Sequence, residues 1–291
     1  MQKSKYLVAS PRDLLWGLTV STVGYEEIVP GDSYPTHGHA DGYYFNVDRG
    51  RILNEYQLLY IVEGRGFFRS AHQKETEVHG GDMFLLFPGE WHTYHPAKEE
   101  GWKSFWIGFK GKNMDDRVRA GFLSVDKPIY SIGFSEEVIR LYREAYRVAV
   151  EELANSQQIL AGTVNFMIGL MYAFERNRLF THDKIHVDII NSARLRIRET
   201  LESPVSIQQI AAESGISYSN FRQLFQEYTG VSPALYQQEL RIQRAKELLA
   251  ISDLSVKEIA YRLNFDSSDY FSSRFRAKVG MPPLEYRRKT R

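Results

Sequence analysis

The sequence predicts an α+β protein of two domains: a β sandwich or small barrel with a helical segment, then an all-α domain holding two helix-turn-helix units. Three observations predict it. Ser206-Ile207-Gln208-Gln209-Ile210-Ala211 returns about 50 residues on as Ser255-Val256-Lys257-Glu258-Ile259-Ala260, and each copy runs through a polar turn into an aromatic-spaced helix. Short apolar runs broken by Gly, Pro and Asp fill residues 14–109, as many short strands do. Near Phe134 the apolar spacing changes from strand-like to helical.

In the first region Val20, Val23, Ile28, Tyr43, Phe45 and Val47 sit among turn residues. Tyr56 to Val62 is a mostly apolar strand, and Glu63-Gly64-Arg65-Gly66 reads as a turn into Phe67-Phe68-Arg69. Gly80-Gly81-Asp82 is a second turn, Met83 to Phe87 a strand ended by Pro88-Gly89, and Lys103 to Phe109 an aromatic-rich strand. Such spacing argues a sandwich or barrel. Ser135 then caps a helix with Val138, Leu141, Tyr142, Ala145 and Val148 on one face. A second helix, from about Ser156 to Arg178, carries Ile159, Leu160, Val164, Phe166, Met167, Leu170, Met171 and Phe174 around much of its circumference. A surface helix is not apolar all round. These two helices are therefore expected to form a homodimer interface, with Met167 and Leu170 on it. Residues 181–184 are the expected linker, giving domains 1–180 and 187–291.

The 291 residues suffice for two cores. Net charge is +1, unevenly placed: residues 188–291 hold 16 Lys and Arg against 12 Asp and Glu, the remainder 21 against 24. A mildly basic C-terminal domain fits nucleic-acid contact. There is no cysteine, which excludes a disulfide framework and fits a reducing compartment. The N-terminus has no signal-peptide pattern, and the uncharged stretch 154–174 is interrupted by Asn155, Ser156, Gln157, Gln158, Thr163 and Asn165. The expectation is a cytoplasmic chain with no membrane partner.

In the repeats Ser206 and Ser255 are N-caps. Ile210-Ala211 and Ile259-Ala260 set an apolar residue beside a small one, letting the next helix cross closely. Phe221 with Phe225, and Phe271 with Phe275, form buried stripes four residues apart. The opposite faces offer the candidate DNA-binding residues: Ser219, Arg222 and Gln223 in the first unit, Ser268, Asp269, Ser272 and Ser273 in the second. Arginine pairs with guanine and glutamine with adenine in the major groove. One polypeptide would thus read double-stranded DNA at two places.

Residues 207–286 resemble the DNA-binding domain of the AraC family of bacterial transcription regulators. The resemblance is strongest from Ile259-Ala260 through Phe265-Asp266, Tyr270-Phe271-Ser272 and Phe275 to Gly280, Pro283 and Tyr286. It implies a seven-helix domain whose two units, joined by a long helix that starts at Pro233, enter successive major-groove segments. Asn264 stands where the family usually has Gly, and Met281-Pro282-Pro283 replaces a small-Ser-Pro ending. Asn also accepts left-handed geometry.

The N-terminal region is similar to the cupin-like sensor of the family's arabinose regulator. The similarity runs through Val47-Asp48-Arg49, Gly81-Asp82, the stretch from Leu85 to Tyr94, Trp102 and Trp106-Ile107-Gly108-Phe109. By matching motif it places the sugar pocket's arginine, tyrosine and tryptophan on Arg49, Tyr94 and Trp106. Thr19 is the match for a threonine contact, at a different spacing. Ser104 replaces a pocket histidine, so the particular sugar is not carried over. The resemblance implies a regulator controlled by a small-molecule effector, a sugar, with no cofactor and with RNA polymerase as a further candidate partner. An aromatic face suits the C–H side of a sugar and a forked donor its hydroxyls.

Two other readings exist. One is a metal-dependent cupin enzyme with a helical appendage, for which His37, His39 and His92 are the candidate ligands. The glutamate expected after His-x-His is missing, so turn and pocket-rim histidines are the preferred reading. The other is an effector-independent DNA-binding protein whose β domain is only a scaffold. Metal analysis separates the first of these, ligand titration the second.

Overall fold

A computed structural model describes residues 2–35, 46–181 and 184–291. The chain forms two compact units, Met1–Leu179 and Phe180–Arg291. His37 and His39 lie outside the described residues.

The first unit contains β1 (Gln2–Tyr6), β2 (Thr19–Ile28), β3 (Arg51–Ile52), β4 (Tyr56–Ser70), β5 (Thr76–His79), β6 (Asp82–Leu86), β7 (Trp91–Pro96), β8 (Trp102–Lys110) and β9 (Ile129–Ser131). Around them lie α1 (Pro11–Leu14), α2 (Lys112–Arg119), α3 (Glu136–Glu151) and α4 (Ser156–Thr181). The main sheet runs β1-β2-β8-β4-β6-β9, and β4 also pairs with β5 and β7. All of these pairings are antiparallel.

The Glu63–Gly66 stretch is not the predicted turn. Strand β4 continues through it for 15 residues, with a register shift between Ile61 and Glu63. Gly64 has φ +93°, and a Cβ there would stand 2.2 Å from the Gly101 carbonyl oxygen. Glycine here is read as punctuation in the sequence, but in the fold it is a bend. The bend carries β4 from the β8–β6 sheet into its pairing with β5 and β7.

Alternation along the strands produces two buried layers. Tyr56, Leu58 and Tyr60 of β4 with Phe105, Ile107 and Phe109 of β8 pack against α3 and α4. Leu59 and Ile61 with Trp102 and Trp106 face the other way, joining Phe68, Phe84 and Tyr94. Ser135 caps α3 as predicted, its Oγ accepting from the Val138 amide at 3.3 Å. Tyr142 of α3 donates its hydroxyl to the Leu58 carbonyl at 2.9 Å. The Gln157 side-chain amide exchanges two 2.9 Å hydrogen bonds with the Val20 backbone, serving as a strand partner beside the irregularity in β2.

The all-round apolar character of α4 has an internal cause. Leu160, Val164, Met167 and Met171 are fully buried against the unit's own sheet. Met167 is therefore core, not interface. Among the described residues of α4, the exposed large apolar side chains are Ile159 and Phe166, with Gly162 and Gly169 beside them.

The second unit is a run of helices: α5 (Lys184–Glu199), α6 (Ile207–Glu213), α7 (Tyr218–Thr229), α8 (Pro233–Ile251), α9 (Val256–Arg262), α10 (Ser268–Val279) and α11 (Pro283–Thr290). The two ends of the expected linker are helical, since α4 reaches Thr181 and α5 begins at Lys184. Ser206 and Ser255 each close a full capping box, with Gln209 and Glu258. Two separate cores form. One gathers Ile207, Ile210, Ala211, Phe221 and Phe225, the other Ile259, Ala260, Leu263, Phe271 and Phe275.

Polar contacts join the two cores. Asn264 takes φ +54°, the left-handed geometry the second turn needs. Its side-chain amide also donates to the Leu201 and Ser203 carbonyls at 3.2 and 3.0 Å, just ahead of α6 and the first helix-turn-helix. Glu202 accepts from Arg244 at 2.9 Å and from Arg262 at 2.6 Å. Glycine supplies the backbone freedom but none of these bonds.

Candidate functional site

The two units each present one candidate site. In the first, cross-strand register builds a polar row inside the sandwich. Strands β2 and β8 pair Glu26 with Ser104, Gly24 with Trp106, and Thr22 with Gly108. The glycines make room. A Cβ on Gly24 would stand 2.0 Å from the Trp106 ring, and one on Gly108 would stand 2.3 Å from Glu55 Oε1 and 2.4 Å from Thr22 Oγ1.

A chain of hydrogen bonds crosses this interior. Ser21 donates to Glu55, Gln57 Nε2 donates to Glu55 Oε1 at 3.1 Å, and Arg51 Nη2 lies 3.5 Å from Gln57 Oε1. Arg51 Nη2 donates to the Tyr94 hydroxyl at 2.6 Å, and its guanidinium lies 5.5 Å from the Tyr94 ring centre. Arg51 Nε donates to His92 Nε2 at 3.3 Å, while His92 Nδ1 lies 3.1 Å from the Glu90 carbonyl oxygen. This pattern assigns the proton of a neutral His92 to Nδ1. Burial, then the Arg51 charge, hold the imidazole down to about 3. Both ring nitrogens are thus engaged within the protein.

Glu26, Glu55, Gln57, Thr22 and Ser104 are all buried. Trp102 Nε1 lies 3.4 Å from Glu26 Oε1, but Glu26 Oε2, Ser104 Oγ and Thr22 Oγ1 have no hydrogen-bond partner among the described residues. Burial pushes the Glu26 carboxyl up to about 7, against the opposing pull of Trp102 and of the Ser104 hydroxyl beside it.

Of the pocket residues expected from sequence, Tyr94 and Trp106 stand in this interior. Arg49 does not. It is exposed on the turn closed by Asn46, whose Oδ1 accepts the Asp48 and Arg49 amides at 2.9 and 3.1 Å. The guanidinium inside belongs to Arg51, because β3 begins there and strand alternation turns Arg51 inward with Leu53 while Ile52 is exposed. Thr19 is buried at the start of β2, opposite Lys110 and beyond the register shift from Thr22, the threonine that flanks the open space over Gly108 together with Glu55. Sequence reasoning missed Arg51, Glu26, Glu55 and Gln57. The available signal was a polar residue at every second position beside inward aromatics.

In the second unit, Phe221, Leu224 and Phe225 bury one face of α7. Ser219, Arg222 and Gln223 stand exposed on the other, with Gln226 one turn on. Gln223 donates to Glu227 at 2.9 Å. On α10, Asp269 and Ser273 are exposed, Ser268 and Ser272 half-buried, and Arg276 continues the same face. Their N-terminal turns are held by Ser217 and Ser267, which accept from Asn220 and Tyr270 at 3.3 and 3.1 Å.

A sandwich with a polar interior followed by paired helix-turn-helix units defines a DNA-binding regulator with a sensory domain. Residues 30–164 match the AraC-like ligand binding domain and residues 210–289 the helix-turn-helix domain. The chain is 25% identical over 242 residues to the raffinose operon transcriptional regulatory protein of Pediococcus pentosaceus, covering 81% of this chain and 86% of that one. It is 25% identical over 268 residues to the MmsAB operon regulatory protein of Pseudomonas aeruginosa, covering 89% and 84%. With the arabinose operon regulatory protein of Escherichia coli it shares 25% identity over 288 residues, covering 90% and 93%. The chain belongs to the AraC family of DNA-binding transcription regulators and is not an enzyme. Among the described residues, no helix is long and apolar enough to cross a membrane.

The state of Glu26 sets a pH dependence. The folded chain holds its proton up to about pH 7, whereas the ordinary carboxyl value is 4.5. Stability from this group is full below about pH 4.5 and is lost as pH rises through 7, roughly 3 kcal/mol in all. Glu26→Gln, neutral throughout, is expected to flatten that stretch of the curve in urea unfolding between about pH 4.5 and 8. An unchanged slope would remove the buried neutral acid from the account.

Proposed function

We propose that this regulator binds a small polyhydroxylated effector, a sugar, inside the first unit and reads DNA through the exposed faces of α7 and α10. One observation carries the effector reading. Among the described residues, buried oxygens of Glu26, Ser104 and Thr22 meet no hydrogen-bond partner in the sandwich that holds Trp106 and Arg51. An unmet buried hydrogen-bonding group costs about 1–3 kcal/mol. Ligand hydroxyls would meet these groups, and the Trp106 ring would cover the ligand's C–H face. The raffinose and arabinose operon names of two relatives support a sugar; that of the MmsAB relative says nothing about one. Arg51 takes the role that motif matching gives to Arg49. Since its target is chromosomal DNA, the protein works in the cytoplasm.

Titration calorimetry against pentoses, hexoses and short oligosaccharides identifies the effector. Trp106→Ala and Arg51→Ala should each abolish its binding and leave DNA affinity without effector unchanged. Arg49→Ala should bind normally. Full binding by the Trp106→Ala protein would move the site out of the sandwich.

For DNA, Ser219, Arg222 and Gln223 form the first reading face, with Asp269, Ser273 and the half-buried Ser268 and Ser272 forming the second. Replacing Arg222 and Gln223 by Ala should cost about 1–3 kcal/mol for each side chain that pairs with a base edge. Fluorescence anisotropy on the operator measures this weakening, and binding should also fall steeply with salt. Unaltered affinity in the double variant would exclude α7 as a reader.

Dimerisation is assigned to the outer face of α4, through Ile159 and Phe166. Close approach over Gly162 and Gly169 suits helix pairing. Phe166→Glu should yield folded monomers in sedimentation velocity, whereas Met167→Glu should unfold the unit. A Phe166→Glu protein that stays dimeric would place the interface elsewhere.

A further inference from the structure

Outside the sandwich interior, helix α3 and the outer sheet face enclose a cleft of about 440 Å³. Its position follows from the sheet order. Lys3 of β1, Tyr25 of β2, Phe105 of β8 and Val62 of β4 lie side by side, and Arg143 and Tyr146 of α3 stand over them. The floor is aromatic, with the Tyr25 and Phe105 ring centres 4.9 Å apart and tilted by 45°.

The rim is cationic, and its three charges are not equivalent. Lys103 is neutralised by Glu27 at 3.3 Å and Glu63 at 3.0 Å. Lys3 and Arg143 are exposed and have no carboxylate within 4 Å among the described residues. Burial and Glu27 raise the Tyr25 hydroxyl above its ordinary value, while Lys103 and Arg143 act in the opposite direction, and Lys3 is the strand partner of Tyr25. Two uncompensated positive charges above an aromatic base complement one kind of ligand: an anion with a flat apolar body. The volume is in the range of small-molecule sites.

We infer that this cleft is a second ligand site, separate from the effector interior, that binds an organic carboxylate with an aromatic body. The carboxylate sits between Arg143 and Lys3, and the ring lies on Tyr25 and Phe105 beside Tyr146. Such a ligand wedges between α3 and the sheet, so it acts on the helical layer directly.

The test uses the full chain and 2-naphthoate in titration calorimetry, with 2-naphthylmethanol as the uncharged counterpart. Naphthoate should bind at least about tenfold more tightly than the alcohol. Arg143→Gln and Lys3→Gln should each weaken binding severalfold, and the double variant by about tenfold or more, with melting temperatures unchanged because both side chains are exposed. Arg51→Gln should bind naphthoate normally. The inference is overturned by absence of binding, by full affinity in the double variant, or by weakened binding in Arg51→Gln, which would put the acid in the sandwich interior. Sedimentation on the same samples covers the other occupant. Dimers that dissociate on Arg143→Gln or on adding naphthoate would make the cleft an interface between copies and overturn the small-molecule assignment.

Discussion

Strand β8 separates two buried environments by alternation alone, and the first unit depends on that separation. Phe105, Ile107 and Phe109 supply the apolar layer under α3 and α4, while Trp102, Ser104, Trp106 and Gly108 line the sandwich interior. Both neighbours, β2 and β4, are locked to it in antiparallel register. A slip of one residue would send the polar row into the helical layer and the apolar row into the interior. Register is therefore strongly specified, and the site inherits its geometry from that specification.

The interior is a costly one. A core built for stability alone would not keep a carboxyl, two hydroxyls and a guanidinium network under cover. Most of the network is satisfied internally, from Ser21 through Glu55, Gln57 and Arg51 to Tyr94 and His92. The oxygens of this interior that meet no partner among the described residues, on Thr22, Glu26 and Ser104, lie on the β2–β8 ladder. Gly24 and Gly108 mark the same place from the other side, since each leaves open the space that a neighbour's ring or polar atoms occupy. Unmet polarity and omitted side-chain volume thus coincide on one strand pair.

In the second unit the same problem, holding geometry at small size, is solved differently. Each helix-turn-helix core is small and closes on its own pair of phenylalanines. Neither core reaches the other, so their relative placement rests on α8 and on polar ties made by Asn264, Glu202, Arg244 and Arg262. Asn264 combines two tasks in one residue, a left-handed backbone and two side-chain bonds to the 201–203 segment. Two reading helices serve one DNA target only when their spacing is fixed.

The sequence by itself determined everything set by local periodicity and chemistry. The doubled serine N-caps, the four-residue phenylalanine stripes, the exposed faces opposite them and the strand-to-helix change near Phe134 all depend on neighbours within a turn or two. Motif resemblance also placed Tyr94 and Trp106, because they sit in continuous strands. Only the tertiary structure decided that Gly64 bends a strand that never ends, that Met167 is covered by the protein's own sheet, and that Arg51 rather than Arg49 enters the interior. Each of these depends on what lies across from the residue in space. A glycine becomes a bend when Gly101 presses against it, an apolar helix becomes core when a sheet lies beneath it, and an arginine faces inward according to where pairing with β7 begins. Those partners are tens of residues away in the chain, beyond the reach of any local pattern.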